Sequence, residues 1–166
     1  TGGKPILILF VLGLFTAVTS AFLDNVTTVI LIMPVTFFIA KKLDINPIPF
    51  LITEVFASNI GGTSTLIGDP PNIIIGSAAG LSFMDFVKEL TLIVFIILVV
   101  VLGVMALFFR KSLVTTKEKM EQVALLDNSH TITDKALMIR SVIILAGVIL
   151  GFITHDITPV SYTHLR

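Results

Sequence analysis

Asn59–Asn72 reads NIGGTSTLIGDPPN. Three glycines, two prolines, five neutral side chains that can hydrogen-bond and one carboxylate crowd into a chain otherwise built like membrane. Hydrocarbon penalises unsatisfied backbone and charge. Irregular polar backbone at membrane depth therefore persists only inside protein or beside a water-filled cavity. A substrate or ion site is expected in this stretch. A second polar interruption, Asp24-Asn25-Val26-Thr27-Thr28, lies inside the preceding apolar segment. Two such breaks in one chain point to a transporter.

The composition sets the membrane context. The 166 residues are 55% hydrophobic and 13% charged, with a mean hydropathy of +1.04. Soluble domains carry about twice that charged fraction, roughly 25%. The chain is thus expected to be a polytopic all-α membrane protein in contact with lipid. Its formal net charge is zero, which implies no nucleic-acid partner. It has no cysteine, so it has no disulfide framework, thiolate metal site or thiol nucleophile. His130, His155 and His164 are scattered and lack metal-ligand spacing. No cofactor is expected beyond a coupling Na⁺ or H⁺. The chain starts at Thr1 without a signal peptide, and its last apolar segment stops abruptly. It is expected to be a piece of a larger protein. The tail Pro159–Arg166 (PVSYTHLR) breaks the preceding pattern and looks like translated adapter sequence.

Leu90–Phe109 is the clearest span: 20 residues without a charge, ended by Arg110 and Lys111. That length crosses a hydrocarbon core of about 30 Å. Ala136–Thr154 is a second, with Thr133 or Asp134 placed to cap it. The loop between them, 111–134, carries Lys111, Lys117, Lys119 and neighbouring Arg110, Lys135 and Arg140, and so belongs in the cytoplasm. Lys117–Leu126 has room for a short interfacial helix. Tracing backwards, Leu90–Phe109 starts outside near Leu81–Glu89, where Asp85, Lys88 and Glu89 form a surface segment. Asn46–Gly80 then crosses outward. Lys4 and the Lys41-Lys42 pair both want the cytoplasm, with Asp24-Asn25 midway between them. A re-entrant hairpin over 5–42 with its polar tip inside the membrane satisfies both. Two full spans joined by an external turn are the alternative, but Thr28–Ala40 is only 13 residues, short for a crossing. Asn46–Gly80 reads as a broken helix (47–80): Pro49–Ser58 helical, stopped by Gly61-Gly62, restarted at Pro70-Pro71 and continued through Asn72–Ala79.

Helix N-termini inside a membrane suit anions, while unwound carbonyls and side-chain oxygens suit Na⁺ or protons. The first break offers Asp24, Asn25, Thr27 and Thr28. The second offers Thr63, Ser64, Thr65, Asp69 and Asn72, with Gly61, Gly62 and Gly68 permitting positive φ and close backbone approach. Asp24, Asn25 and Asp69 make a candidate Na⁺ site of hard oxygen ligands. Structural roles compete with these: Thr27 or Thr28 bonding back to helix carbonyls, Asn25 joining helices, and Gly61-Gly62 forming a tight crossing. Asp69 is hardest to explain structurally, because an ionisable group at that depth is costly. Glu54, on the first half-helix, either faces a cavity or pairs elsewhere.

SAFLDNVTTVILIMPVT (Ser20–Thr36) and SNIGGTSTLIGDPPNIIIG (Ser58–Gly76) together resemble the paired signatures of the ion transporter superfamily. The match is nearest to the branch of arsenite permeases, the P protein and related sodium/proton antiporters, with citrate and dicarboxylate transporters further off. The resemblance runs from about Pro5 to Ile153. It implies a hairpin, a broken helix and a spanning helix (89–109) from the first of two inverted repeats. Residues 135–158 would then open the second repeat. The family setting adds a bacterial inner-membrane location and a homodimer in the full-length protein. The dicarboxylate branch has Ser-Asn-Thr where this chain has Asp24-Asn25-Val26, and Thr where it has Asp69. Two carboxylates near one site repel a dianion unless protonated or paired. The expectation is therefore a secondary active transporter, H⁺- or Na⁺-linked, moving a small inorganic ion such as arsenite. Sodium/proton antiport and citrate or dicarboxylate transport are the alternatives within the class. A passive channel and an intramembrane aspartyl protease are alternatives outside it. The protease lacks the Gly-x-Gly-Asp pattern, since Leu66 stands where the first glycine belongs.

Overall fold

The computed structural model describes residues 1–125 and 135–154. The proposed caps Thr133 and Asp134, the three histidines, Asp156 and the tail 159–166 lie outside the described residues. Those described fold as helices α1 (Pro5–Ser20), α2 (Asn25–Leu43), α3 (Ile48–Gly62), α4 (Pro70–Ala79), α5 (Phe83–Phe109), α6 (Lys117–Ala124) and α7 (Lys135–Thr154). No strand occurs among them. Asn25–Leu43, Phe83–Phe109 and Ala136–Thr154 are long and apolar enough to cross a membrane. Large apolar side chains such as Val11 and Phe15 on α1, and Ile30, Phe95 and Ile144 on the three long helices, point outward, as a lipid-facing surface requires. The chain is an all-α membrane protein.

Local chemistry explains the helix ends. Proline opens α1 and α4, where a missing N–H costs nothing. The Asp24 carboxylate accepts a hydrogen bond from the Thr27 amide at 2.9 Å and caps α2. Asp44, in the left-handed region at φ 54°, ends α2. Ser82 and Asp85 form a reciprocal capping box, so α5 begins at Phe83, ahead of the uncharged run Leu90–Phe109. Asp85, Lys88 and Glu89, all exposed, consequently ride on its first turns. α2 likewise outruns its apolar middle: its 19 residues reach about 28 Å. The shortness of Thr28–Ala40 therefore no longer separates a re-entrant hairpin from a pair of full crossings.

α1 and α3 make the most extensive interface, and α2 and α5 also pack on α3. Small residues set these approaches. A Cβ on Gly61 would lie 2.1 Å from the Ala17 carbonyl oxygen, and one on Gly13 2.5 Å from the Leu102 side chain. The helix α3 ends at Gly62, within the expected glycine stop, and α1 crosses it at Gly61. Leu9, Leu43, Phe50, Ala106 and Leu113 form a core towards one end, and Ala17, Ala57, Leu98 and Leu102 form a second cluster further along.

The first end collects the basic residues. The Thr115 hydroxyl donates to the Leu43 carbonyl at 2.6 Å, and Lys119 pairs with Asp44 at 2.5 Å. Backbone at Met120 lies against Gly3, just ahead of Lys4. The start of α1, the end of α2 and the segment after α5 are thus together. At the other end of α5, Phe83 stacks on Phe152 of α7 at 5.8 Å, while no residue of α7 whose side chain is described is fully buried.

Candidate functional site

The two sequence breaks meet. The turn between α1 and α2 lies against the unwound segment between α3 and α4. The Thr65 hydroxyl donates to the Ala21 carbonyl and accepts from the Gly68 amide at 3.1 Å. A Cβ on Gly62 would fall 2.4 Å from Asn25 Oδ1 and 2.8 Å from the Gly68 oxygen. One on Gly68 would fall 2.5 Å from the Gly62 oxygen and 2.8 Å from the Ser20 oxygen. Glycine is needed at both positions for close approach. Positive φ plays no part, being confined among described glycines to Gly2, Gly3 and Gly80.

Asn25 joins three elements. Its Oδ1 accepts from the Ser20 hydroxyl at 2.8 Å on α1, and its Nδ2 donates to Asn59 Oδ1 at 3.3 Å on α3. Asn72, in the first turn of α4, holds the unwound segment in shape. Its Nδ2 faces the carbonyls of Thr65 at 2.8 Å, Gly62 at 3.3 Å and Thr63 at 3.4 Å. These carbonyls would otherwise stand unpaired beside hydrocarbon. Thr63 and Ser64 turn their hydroxyls back to the Ile60 and Gly61 carbonyls, at 2.7 and 2.6 Å.

The twelve expected site residues therefore divide. Asn25, Gly61, Gly62, Thr63, Ser64, Thr65, Gly68 and Asn72 build the junction and hold its shape. Asp24 caps α2, and Thr27 supplies the capped amide. Thr28 is fully buried, and its hydroxyl has no partner, so it does not bond back to the helix. Asp69 stands at the head of α4 in extended backbone, half-buried, with its carboxylate not engaged in capping. Asp24 and Asp69 each sit one residue from the contacts that close the junction, at Asn25 and Gly68. Among the described residues, no group of three His, Cys, Asp or Glu side chains is arranged to hold a metal ion. For a Na⁺ at Asp24, Asn25 and Asp69, two of the proposed ligands already have partners: Asn25 Oδ1 and the Asp24 carboxylate.

Ser20, Asn59, Glu54 and Thr36 stand outside the twelve expected site residues, although Asn59 opens the expected stretch and Glu54 is singled out as facing a cavity or pairing elsewhere. Ser20 and Asn59 flank the breaks and complete the Asn25 bridge. Glu54 is fully buried and accepts a hydrogen bond from the Thr36 hydroxyl of α2. The available signal was a lone carboxylate on an apolar half-helix. Thr36 also lies eight residues after Thr28, on the same helical face.

A bundle of apolar helices enclosing a junction of irregular polar backbone defines a membrane transporter core. The sequence profile of the citrate transporter family CitMHS matches residues 1–164, and the chain belongs to that family within the ion transporter superfamily. A 46 kDa membrane protein of Mycobacterium leprae is 47% identical over 155 residues, covering 93% of this chain and 36% of the relative. An uncharacterized transporter of Mycobacterium tuberculosis is 44% identical with the same coverages. The P protein of Mus musculus is 39% identical over 133 residues, covering 77% of this chain and 16% of that protein. The chain thus spans about a third of the length of its bacterial relatives. No solved structure matches it.

Proposed function

We propose that the chain supplies part of the first repeat, and the opening helix of the second, of a secondary active transporter that couples H⁺ or Na⁺ to the movement of a small inorganic ion such as arsenite. The observation that carries this is the junction itself: two separate breaks brought into contact, with a carboxylate at the head of each restarted helix. Coupling needs groups that gain and lose a cation as access alternates. Asp69, half-buried and not used as a cap, is the group best placed to do so. Asp24 would join it when the junction opens. If Na⁺ is itself the cargo, the same residues make a sodium/proton antiporter.

The family's name favours a second cargo, citrate or another dicarboxylate. The N-termini of α2 and α4 border the junction and would attract an anion. Asp24 and Asp69 at those same ends would oppose it unless protonated or cation-bound. The relatives' printed names favour transport over an intramembrane protease.

We read α1 and α2 as a hairpin that enters and leaves from the cytoplasmic side, because both its ends meet the basic segment after α5. Leu98 packs with Ala17 and Ala57 about one turn below the junction. It stands about 22 Å of helix from Phe83 and about 16 Å from Phe109. The turn at Ala21–Asp24 lies beyond Leu98, where Ala21 and Phe22 share a cavity wall with Phe83, Met84 and Val87 in the first turns of α5. The basic end would be cytoplasmic, in a bacterial inner membrane. The test is flux in proteoliposomes of the full-length parent, comparing arsenite, Na⁺ and citrate under imposed pH gradients. Gradient-driven movement of one of them supports the proposal. Flux indifferent to both H⁺ and Na⁺ gradients would indicate a channel.

A further inference from the structure

Glu54 lies apart from the junction, two helical turns before Gly62 on α3, about 12 Å of helix towards the basic end. It is fully buried. One carboxyl oxygen accepts from the Thr36 hydroxyl, and the other, Oε2, has no partner. Other buried hydroxyls of α3 and α1 are committed elsewhere. Thr53 donates to the Pro49 carbonyl at 2.7 Å, Ser58 to Val55 at 3.0 Å and Thr16 to Leu12 at 2.7 Å.

Charged groups are distant in the chain on every element packed against α3. Helix α1 carries none between Pro5 and Ser20. Helix α2 carries Lys41 and Lys42, both exposed, with Asp24 at its head. Helix α5 carries Asp85, Lys88 and Glu89 in its first turns, and Arg110 follows its last. No ion pair to Glu54 exists among the described residues; Lys119 with Asp44 is the pair they form. An ionised carboxylate here would hold a full charge on one hydrogen bond. A bound proton removes that charge and gives Oε2 a donor.

The interface between α2 and α3 links this carboxyl to the junction. Contacts fix its two ends: Thr36 with Glu54, and Asn25 with Gly62. Between them on α2 lies Thr28, fully buried with its hydroxyl unpartnered. Pro34, inside α2, lacks the amide that would bond the Ile30 carbonyl. That helix is therefore weakest beside Thr36.

We propose that Glu54 is a proton-binding site of the transporter, between the junction and the cytoplasmic end. In the arrangement described it holds a proton against Thr36. When α2 parts from α3, the carboxyl O–H bond breaks and the proton passes to water on the cytoplasmic side, leaving the carboxylate. This rests on the transport reading given above.

The test uses the full-length parent in proteoliposomes, with Glu54→Gln, Glu54→Asp and Thr36→Val. Infrared spectra should show a protonated-carboxyl C=O band in the wild type that Glu54→Gln removes. The pH-gradient stimulation of flux should fall to the no-gradient level in Glu54→Gln and survive in part in Glu54→Asp. Thr36→Val, whose fold is the less exposed to risk, should shift the pH at which the band disappears. An unchanged band, or full stimulation in Glu54→Gln, overturns the proposal. A wild type without gradient-driven flux of any cargo sinks the transport reading instead, which separates the two failures.

Discussion

The junction between the two breaks and the Glu54–Thr36 contact are both polar islands in an apolar bundle, built on opposite plans. The junction is dense and largely self-satisfied: Asn25, Thr65 and Asn72 each serve two or more partners. The Glu54 contact is sparse: one hydroxyl meets one carboxyl oxygen, and the second oxygen is left over. Saturated groups hold a shape, because removing any of them strands a buried partner. Unsaturated ionisable groups are free to take a ligand. On the proposed reading, most of the junction is architecture, while Asp69 within it and Glu54 outside it exchange the cation.

The harshest way to break this division is at the helix crossing. Gly61→Val should abolish properly folded protein, because its Cβ meets backbone at Ala17 and no flexible side chain can yield. Recovery of monodisperse full-length protein in detergent checks it. Normal recovery would mean that the α1–α3 approach is looser than described. Asn72→Ala comes next. It strips the donor shared by three carbonyls and should cost about 1–3 kcal/mol, read as a lower melting temperature together with lost flux. A variant that melts normally yet fails to transport would move Asn72 from architecture to binding.

Asp69 was legible as a lone charge in an apolar chain, whereas the packing around it was only partly so. Proline and glycine punctuation made the restart at Pro70 and the turn at Gly80 legible, since those residues dictate backbone. Gly61-Gly62 likewise marked the end of α3, although not which helix crosses it at Gly61. The start of α5 was hidden because hydropathy sees the uncharged run, whereas the Ser82–Asp85 box sets the first turn. The pairing of Thr36 with Glu54, and of Ser20 and Asn59 with Asn25, could not be read. A helix apolar on every side carries no periodicity to say which face is buried.

Two smaller effects sharpen the comparison. Thr28→Val removes a buried hydroxyl that has no partner, so melting should be unchanged or rise by up to about 1 kcal/mol of stability. A loss of flux at unchanged stability would give that hydroxyl a part in ion movement. At the basic end, the Lys119 ammonium beside Asp44 holds its carboxyl below the usual carboxylate range. A carboxyl lowered on folding stabilises above its unfolded value, and that contribution disappears as pH falls through the folded one. Protection of Lys117–Ala124 from proteolysis should therefore weaken slightly in acid, and Asp44→Asn should show the weakened state at neutral pH. Equal protection in both forms at both pH values would mean that Thr115 and the Met120 backbone hold this segment without the ion pair.

The most direct test of the junction as the coupling site is Asp69→Asn in the full-length parent, reconstituted beside the wild type. The account predicts that the variant inserts and melts like the wild type, while flux driven by a proton or sodium gradient is lost. Undiminished gradient-driven flux in that variant would contradict it.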